Sequence, residues 1–340
     1  MNRQRFTEIT SRYPSLRVAV VGDFCLDRYL EIDPRRAETS IETGRPVHNV
    51  VNVRSQPGGA GTILGNLVAL GVGQIIPIGF VGSDGEGFEL RAALREKSGV
   101  ELSHLVSTDQ RRTFTYCKPL LVEPGKAPVE LNRLDTKNWT TTPDAVQEQI
   151  IEGIDAVSRN ADALVALDQV DLPNTGVVTA RILEALAGIT SQKPNLTVVG
   201  DSRRHLSRFP PMTLKMNRSE LAALAGETPL LSPEKIRFLA IDLARRQGRA
   251  VFVTLSEDGI LGAGPNGDCV CLRSLPLRGP IDIVGAGDAV TANLTAALAS
   301  GASMSEAMTM ANAAASLVIH QLGTTGIASV PQIAALLFPE

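Results

Sequence analysis

The sequence has 340 residues with a formal net charge of −3, and 44% of its residues are hydrophobic. This composition predicts a large buried core, and the weak charge argues against nucleic acid or an anionic membrane surface as the main partner. The N-terminal segment lacks the apolar region of a signal peptide, and no stretch approaches the ~18 apolar residues of a membrane span. We therefore expect a cytoplasmic protein whose four cysteines are reduced.

Short apolar runs alternate with amphipathic stretches along most of the chain. This rhythm predicts an α/β fold, with a mainly parallel central sheet and helices on both of its faces. Ligands of such sheets bind beyond the carboxyl ends of the strands. The predicted strands cover 16–24, 75–82, 163–169, 196–202 and 250–259. The predicted helices cover 60–70, 85–97, 143–158, 174–187 and 232–247.

Three segments depart from this alternation, because they have the pattern of exposed strands. They cover 46–55, 112–122 and 128–135, and no long helix separates the last two. We expect them to form a small β-sheet that projects from the main fold. Since a small isolated sheet is only marginally stable, this one is expected to cover a site, to pair with another subunit, or both.

The segment GPIDIVGAGDAV at 279–290 allows three interpretations. A dinucleotide-binding fingerprint is disfavoured, because Val290 stands where the third glycine is needed and the loop lies late in the chain. A purely structural turn is the second interpretation, with Asp288 capping the Ala-rich helix that follows. In the third, the backbone N–H groups of Gly285, Ala286 and Gly287 form an anion hole at the start of that helix.

The third interpretation gives Asp288 a catalytic role. A carboxylate beside an anion hole would repel a bound phosphate, but it can accept the proton of a hydroxyl that attacks one. A weak base suffices for this step, because phosphoryl transfer is loose and the proton of the nucleophile leaves late.

Several motifs in order along the chain resemble those of the ribokinase/PfkB family of carbohydrate kinases. The late loop DIVGAGD (282–288) resembles the C-terminal signature of that family, and PGGAGTILGNLVALG (57–71) resembles its N-terminal glycine signature. Other counterparts are VVGDFCLD (20–27), IGFVGSDGEG (78–87), KMNRSE (215–220), VTLSEDG (253–259) and ANAAAS (311–316). Within the family, the chain resembles especially the kinase half of bacterial heptose-phosphate enzymes.

The resemblance implies a ribokinase-like three-layer fold over 1–340, with a β-lid formed by about 28–56 and 111–136. It implies transfer of the γ-phosphoryl of ATP to a hydroxyl of a sugar or sugar phosphate, with heptose 7-phosphate as one candidate. Mg²⁺ is the implied cofactor, and K⁺ is a further one in some relatives. Pairing of two lids would make the protein a homodimer.

On the sugar side, the resemblance assigns Asp27 to hydrogen bonds with the sugar hydroxyls. Asp23 lies in the same segment and is the alternative; if Asp27 binds the sugar, Asp23 is expected to cap the turn after the strand. Gly58 and Gly59 would let the sugar lie against bare backbone. Thr62 stands where many relatives have asparagine, and this departure leaves the substrate class open.

On the nucleotide side, the resemblance places Asn217 and Glu220 near Mg²⁺ and the phosphates, with Glu220 acting on the metal through water. The alternative is an ordinary helix start with an N-cap and an acidic first turn. Asp282 matches the acid that helps to bind a monovalent cation in some relatives, and the alternative is that it only stabilises a turn. The resemblance assigns further nucleotide contacts to Thr254, Ser256, Gly259 and Asn312, although Asn312 is equally consistent with a helix-surface amide.

Arginines are the candidates for holding a phosphate, because the guanidinium group binds phosphate oxygens in pairs. Arg203 stands where the heptose-phosphate enzymes tend to have lysine. Arg203 or its neighbour Arg204 is a candidate to hold a substrate phosphate or the ATP phosphates, and a solvated loop is the alternative. Arg133 and the pair at 35–36 are further candidates.

Three rival functions remain open from the sequence. The first is a kinase for another sugar or a nucleoside, and the second is a non-catalytic sugar- or nucleotide-binding protein on the same fold. The third, a nucleotide-dependent oxidoreductase, is disfavoured by the incomplete fingerprint. Retention of Asp288 argues against the binding protein, since binding alone requires no base.

Overall fold

The computed structural model describes residues 1–339. The helices within this range are α1 (Arg3–Thr10), α2 (Ala60–Ala69), α3 (Gly85–Arg95), α4 (Asp144–Ser158), α5 (Ala180–Gln192), α6 (Arg218–Leu224), α7 (Pro233–Gln247), α8 (Ala286–Ala299), α9 (Met304–Val318) and α10 (Val330–Leu337). The strands are β1 (Arg17–Gly22), β2 (Phe24–Ile32), β3 (Glu38–Thr39), β4 (Pro46–Val47), β5 (Val50–Gly59), β6 (Gln74–Gly82), β7 (Leu105–Thr108), β8 (Phe114–Leu121), β9 (Val129–Glu130), β10 (Leu134–Thr136), β11 (Ala163–Asp168), β12 (Thr197–Ser202), β13 (Thr213–Asn217), β14 (Val251–Thr254), β15 (Ile260–Ala263) and β16 (Cys269–Leu272).

A large sheet runs through the centre of the molecule in the strand order β16-β15-β14-β13-β12-β11-β1-β6-β7. The pairs from β14 to β7 are parallel, whereas β15 and β16 join through antiparallel pairing. The prediction of a mainly parallel sheet is therefore confirmed.

Strand β1 shows why the sheet lies in the middle of three layers. Val18 and Val20 belong to one buried hydrophobic cluster, and Ala19 and Val21 belong to another on the opposite face. Because successive side chains of a strand point to opposite faces, β1 is covered by helices on both sides.

A second, smaller sheet has the strand order β10-β8-β2-β5, with β9 paired to β8. Its central strand β2 begins two residues after β1 ends and was not among the predicted strands. Strand β5 starts later than the predicted 46–55 segment and continues to Gly59. This sheet therefore joins the main fold at four points: between β1 and β2, β5 and α2, β7 and β8, and β10 and α4.

Two predicted elements have different boundaries in the structure. The helix predicted over 174–187 begins at Ala180, after a loop that ends at Thr179, whose side chain caps the helix. The strand predicted over 250–259 ends at Thr254 as β14, and a turn follows that leads into β15; Gly259 has φ +93° in this turn. A Cβ at this glycine would lie 2.0 Å from the carbonyl oxygen of Leu272, so no larger residue fits there. Within residues 1–339, no helix combines the length and apolarity needed to cross a membrane.

Candidate active site

A cleft of about 480 Å³ opens between the large sheet and the small sheet. It lies beyond the carboxyl ends of β11, β12 and β13, where ligands of parallel sheets bind. Its lining residues are Asp27, Gly59, Thr62, Tyr116, Lys118, Arg133, Leu167, Gln169, Asp201, Arg203, Lys215, Asn217, Glu220, Ile283, Val284, Gly285, Gly287, Asp288 and Thr325. We call the part formed by Asp201, Lys215, Gly285, Gly287 and Asp288 the α8 end. We call the part formed by Asp27, Lys118, Arg133 and Arg203 the small-sheet end.

Helix α8 begins at the cleft. Gly285 is its N-cap, with φ +83°, and Asp288 is the third helical residue. Within residues 1–339, the backbone N–H groups of Gly285, Gly287 and Asp288 have no protein acceptor, whereas that of Ala286 donates to the carbonyl of Ile283 at 3.2 Å. The free N–H groups of a helix start favour an anion. The N–H groups available to an anion are thus those of Gly285, Gly287 and Asp288, whereas the prediction named Gly285, Ala286 and Gly287.

Asp288 is half-buried at this helix start. Burial and the negative charge of Asp201 raise its pKa to about 7, and the positive charges of Lys215 and Arg203 oppose the rise. A carboxylate with this pKa is a stronger base than an exposed aspartate, and it is still largely ionised slightly above neutral pH.

Asp201 and Lys215 form a buried ion pair beside Asp288. The Lys215 ammonium donates to Asp201 Oδ2 at 2.9 Å, and the hydroxyl of Thr291 on α8 donates to the same oxygen at 2.8 Å. A Cβ at Gly287 would lie 3.0 Å from Lys215 Nζ, so the ammonium lies against the first turn of α8. The ion pair thereby links β12 and β13 to the helix start.

Asp27 lies on β2, in the small sheet, rather than at the end of the first core strand. Burial raises the pKa of its carboxyl group, and the positive charges of Lys118, Arg133 and Arg203 oppose this rise. A Cβ at Gly58 would lie 2.8 Å from the carboxylate, so bare backbone faces this acid. The small-sheet end therefore combines one carboxylate with three cations.

Asp23, the alternative to Asp27, has a structural role instead. It is fully buried, and it accepts the backbone N–H groups of Gln169 at 2.8 Å and Val177 at 2.7 Å. These bonds hold the loop between β11 and α5. Gly59 adjoins this acid, since a Cβ at Gly59 would lie 2.5 Å from the carbonyl oxygen of Asp23. Buried Thr62 on α2 lines the cleft nearby.

Asn217 and Glu220 cap helix α6 and also line the cleft. The Asn217 side chain accepts the N–H of Glu220 at 2.9 Å, and Glu220 Oε2 accepts the N–H of Asn217 at 2.7 Å. This is a capping box, so the structural interpretation of the pair is correct. It leaves the predicted ligand role possible, because a carboxylate has further lone pairs.

The remaining predicted nucleotide contacts lie outside the cleft lining. Thr254 ends β14 and pairs in register with Asn217, which does line the cleft. Exposed Ser256, with φ +54°, lies in the turn that follows. Asn312 on α9 donates its side-chain amide to the carbonyl of Arg273 at 2.7 Å. Thr254 therefore lies next to the cleft, whereas the side-chain amide of Asn312 is already hydrogen-bonded within the protein.

Asp282 connects two loops beside the start of α8. Its carboxylate accepts the N–H of Val284 at 3.0 Å and the N–H of Gly323 at 3.3 Å. The turn-forming interpretation is therefore correct, and the predicted cation role stays a prediction.

The predicted arginines separate into two groups. Arg203 lines the cleft, whereas exposed Arg204 pairs with Asp171 at 2.9 Å on the surface. Arg133 lines the cleft, pairs with Asp135 at 2.6 Å and lies over the ring of Tyr116. The arginines at 35–36 pair with Asp33 and do not line it.

Two cations in the cleft were not predicted from the sequence. Lys118 lies on β8 and has its ammonium 4.9 Å from the centre of the Tyr29 ring. Lys215 lies on β13, in the run TLKMN. A lysine between the two apolar residues Leu214 and Met216 was the available signal for Lys215, because a buried lysine requires a partner.

Comparison of the sequence with models of known protein families identifies the family to which the chain belongs. The model of the pfkB family carbohydrate kinases matches residues 16–331. The chain belongs to the pfkB family of carbohydrate kinases. It is accordingly a phosphotransferase with an alcohol group as acceptor, and the family predicted from its motifs is confirmed.

Curated relatives carry the name bifunctional protein HldE. That of Citrifermentans bemidjiense is 30% identical over 329 residues, which cover 96% of this chain and 65% of the relative. That of Rhodospirillum rubrum is 29% identical over 331 residues, which cover 97% of this chain and 64% of the relative. The chain thus spans just under two thirds of the length of these relatives.

Solved structures confirm the ribokinase-like fold. Ribokinase from Arabidopsis thaliana, complexed with ribose and ATP, has a TM-score of 0.69 and 20% identity, and the match covers 96% of this chain and 99% of that one. Phosphofructokinase-2 from Escherichia coli, in complex with potassium, has a TM-score of 0.72 and 21% identity, with 94% and 97% covered.

Proposed function

We propose that this pfkB-family kinase transfers the γ-phosphoryl of ATP to a hydroxyl of a sugar that already carries a phosphate. The observation that carries the proposal is the charge of the small-sheet end. Lys118, Arg133 and Arg203 surround a cleft region whose one lining carboxylate is Asp27. Asp135 pairs with Arg133 from outside the lining, so the cations still exceed the carboxylates there by one. An uncharged sugar needs no such cluster, whereas a phosphate group is held well by arginine and lysine donors.

The two carboxylates have different tasks in this proposal. Asp27 accepts hydrogen bonds from sugar hydroxyls and so orients the ring. Asp288 accepts the proton of the attacking hydroxyl. The free N–H groups at the start of α8 donate to oxygens of the transferring phosphoryl group, and each good donor contributes up to ~3 kcal/mol to the transition state.

Mg²⁺ and a monovalent cation are the expected cofactors. Within residues 1–339, no three His, Cys, Asp or Glu side chains form a metal-binding group. This suits Mg²⁺ that arrives with ATP, since such an ion takes one or two protein carboxylates and several phosphate and water oxygens. Glu220 is the carboxylate we assign to it through water, and Asp282 is the one we assign to the monovalent cation. Bound Mg²⁺ would neutralise charge on the phosphates.

The adenosine part of ATP would lie beyond Asn217, along the end of β14. Thr254 pairs in register with Asn217 and is therefore the nearest of the predicted contacts, followed by Ser256. Gly259 contributes the turn that these residues need. Asn312 would have to exchange its bond to Arg273 for a nucleotide contact.

Heptose 7-phosphate is the leading substrate candidate, from the resemblance to heptose-phosphate kinases and the relatives named above. The test is ADP release from Mg–ATP, with K⁺ present, across paired sugars and sugar phosphates and a set of nucleosides. We expect turnover with a sugar phosphate and at least tenfold lower kcat/KM with its unphosphorylated partner. Equal turnover of both partners, or turnover of a nucleoside alone, would overturn the proposal. ATP binding without turnover would favour a binding protein.

We further propose a homodimer formed through the small sheet. Strand β5 lies at its edge, and Val50, Val51 and Val53 on it are each 43–51% exposed. An open edge with apolar side chains pairs readily with a second copy. Light scattering after size exclusion should give a dimer for the native protein and a monomer for Val51→Lys and Val53→Lys combined.

A further inference from the structure

The Lys215 ammonium has more donors than the protein satisfies. Its side chain is 7% exposed, and an ammonium carries three N–H donors. Within residues 1–339, its only hydrogen-bond acceptor is Asp201 Oδ2, and no second carboxylate lies within 4.0 Å of it. The other donors lie in the cleft wall, against Gly287.

Stability does not explain this lysine. Removing two charges from water costs more than their attraction returns in many buried pairs, and apolar side chains of similar size often stabilise a fold better. Position 215 lies between Leu214 and Met216, both of which are buried in the core. The side chain of residue 215 points to the opposite face of β13 from these two and lines the cleft, so the ion pair serves the cleft rather than the core.

Lys215 lies where its ammonium and the start of α8 can bind the same anionic group. The free N–H groups of Gly285, Gly287 and Asp288 and the Lys215 ammonium converge on the same turn of α8. Together they form a donor set for a group with several anionic oxygens. Asp201 fixes the ammonium at this point, and Thr291 in turn fixes Asp201.

We propose that Lys215 is a catalytic residue that donates a hydrogen bond to a non-bridging oxygen of the phosphoryl group in transfer. This inference rests on the proposed function. In the step itself, a bond forms between the sugar oxygen and the γ-phosphorus, and the bond from that phosphorus to the β–γ bridging oxygen breaks. The electron pair leaves with ADP, and the hydroxyl proton goes to Asp288. Lys215 keeps its proton throughout, and Asp201 and Thr291 act as positioning residues.

The test compares two nucleotides that differ by the γ-phosphoryl group. Calorimetry measures the binding of Mg–AMP-PNP and of Mg–ADP to the native protein and to Lys215→Met. We expect the substitution to weaken AMP-PNP binding by ~10- to 100-fold, as one charge-assisted hydrogen bond would, and ADP binding by less than about threefold. Lys235→Met is the matched control, since Lys235 also forms an ion pair, with Glu227, but on the surface.

Lys215→Met leaves Asp201 buried without its partner and can therefore unfold the protein. The double variant Lys215→Met/Asp201→Asn removes both charges of the pair and leaves neither partner charged without the other. It should show the same selective loss of AMP-PNP binding, whereas Asp201→Asn alone should retain the preference, because an amide oxygen still accepts from Lys215. Equal losses for both nucleotides, or no loss, would overturn the role of Lys215. Absence of nucleotide binding to the native protein would instead overturn the proposed function.

Discussion

The two ends of the cleft are built from different parts of the fold. At the α8 end, Lys215 and Asp201 are 7% and 8% exposed, and core strands and a buried helix fix their positions. At the small-sheet end, the Arg133 side chain is 43% exposed and lies beside a short strand at the edge of a sheet. In the proposed function, the chemical step thus depends on core elements. Recognition depends partly on the exposed small sheet and partly on Arg203, which follows core strand β12.

The largest effect is expected at the α8 end. Asp288→Asn removes the proposed base but keeps the shape of the side chain, so kcat should fall by ~10²- to 10⁴-fold while KM for ATP changes little. A coupled assay for ADP measures both constants. Asp109→Asn, on the exposed surface, is the control and should be indistinguishable from the native protein. A residual kcat within threefold of native would remove Asp288 as the base.

At the small-sheet end, substitution should affect binding rather than the chemical step. Arg203→Ala or Arg133→Ala should raise KM for the phosphorylated sugar by ~10- to 100-fold, because each removes a charge-assisted hydrogen bond to the phosphate. The same variants should change kcat/KM for the unphosphorylated sugar by less than about threefold. Arg204→Ala is the matched control, since Arg204 pairs with Asp171 on the surface. Equal losses on both sugars would show that the arginines do not bind a substrate phosphate.

The core of the fold and most strands of the small sheet could be predicted from the sequence, whereas the central strand β2 of the small sheet could not. Strands β1, β6, β11 and β12 each contain a buried apolar run, because helices cover both of their faces. Strand β2 mixes apolar residues with the charged residues Asp27, Arg28 and Glu31, and it follows β1 almost directly. Its pattern shows neither a continuous apolar run nor strict alternation, so no periodicity marked it as a strand.

The residues of the site also divide into those that could be predicted from the sequence and those that could not. Local motifs identified Asp288, Gly285 and Gly287, since a helix start is encoded by consecutive residues. Lys215 and Lys118 escaped prediction because only tertiary packing brings them to the cleft. Asn312 was a predicted nucleotide contact, but its bond to the carbonyl of Arg273 could not be predicted, because it joins residues 39 apart in sequence.

The pH dependence of the reaction should report the α8 end alone. Burial and Asp201 raise the pKa of Asp288 to about 7, so its basic form is lost below neutral pH. We expect log kcat/KM to level off above about pH 7.5 and to fall with a slope of one below about pH 6.5. Rates measured between pH 5.5 and 8.5 with an unphosphorylated acceptor avoid titration of a substrate phosphate. A flat profile to pH 5.5 would contradict the raised pKa.

The smallest effect concerns stability, and it has the opposite sign to the effect on activity. Because the pKa of Asp288 is about 7 in the folded protein and about 4 in the unfolded chain, the folded state binds more protons between these values. Ionised Asp288 therefore destabilises the fold, fully above pH 7 and not at all below about pH 4.

Asp288→Asn should remove this cost. At pH 8 we expect the variant to be more stable than the native protein by ~1–2 kcal/mol, a figure reduced from the full shift because the half-buried carboxylate still meets solvent. The difference should shrink as the pH falls and disappear near pH 4, as urea unfolding at several pH values would show. A gain that is independent of pH would mean that packing, and not the ionised carboxylate, is responsible. A variant that is inactive yet more stable would show that the α8 end holds its base at the expense of the fold.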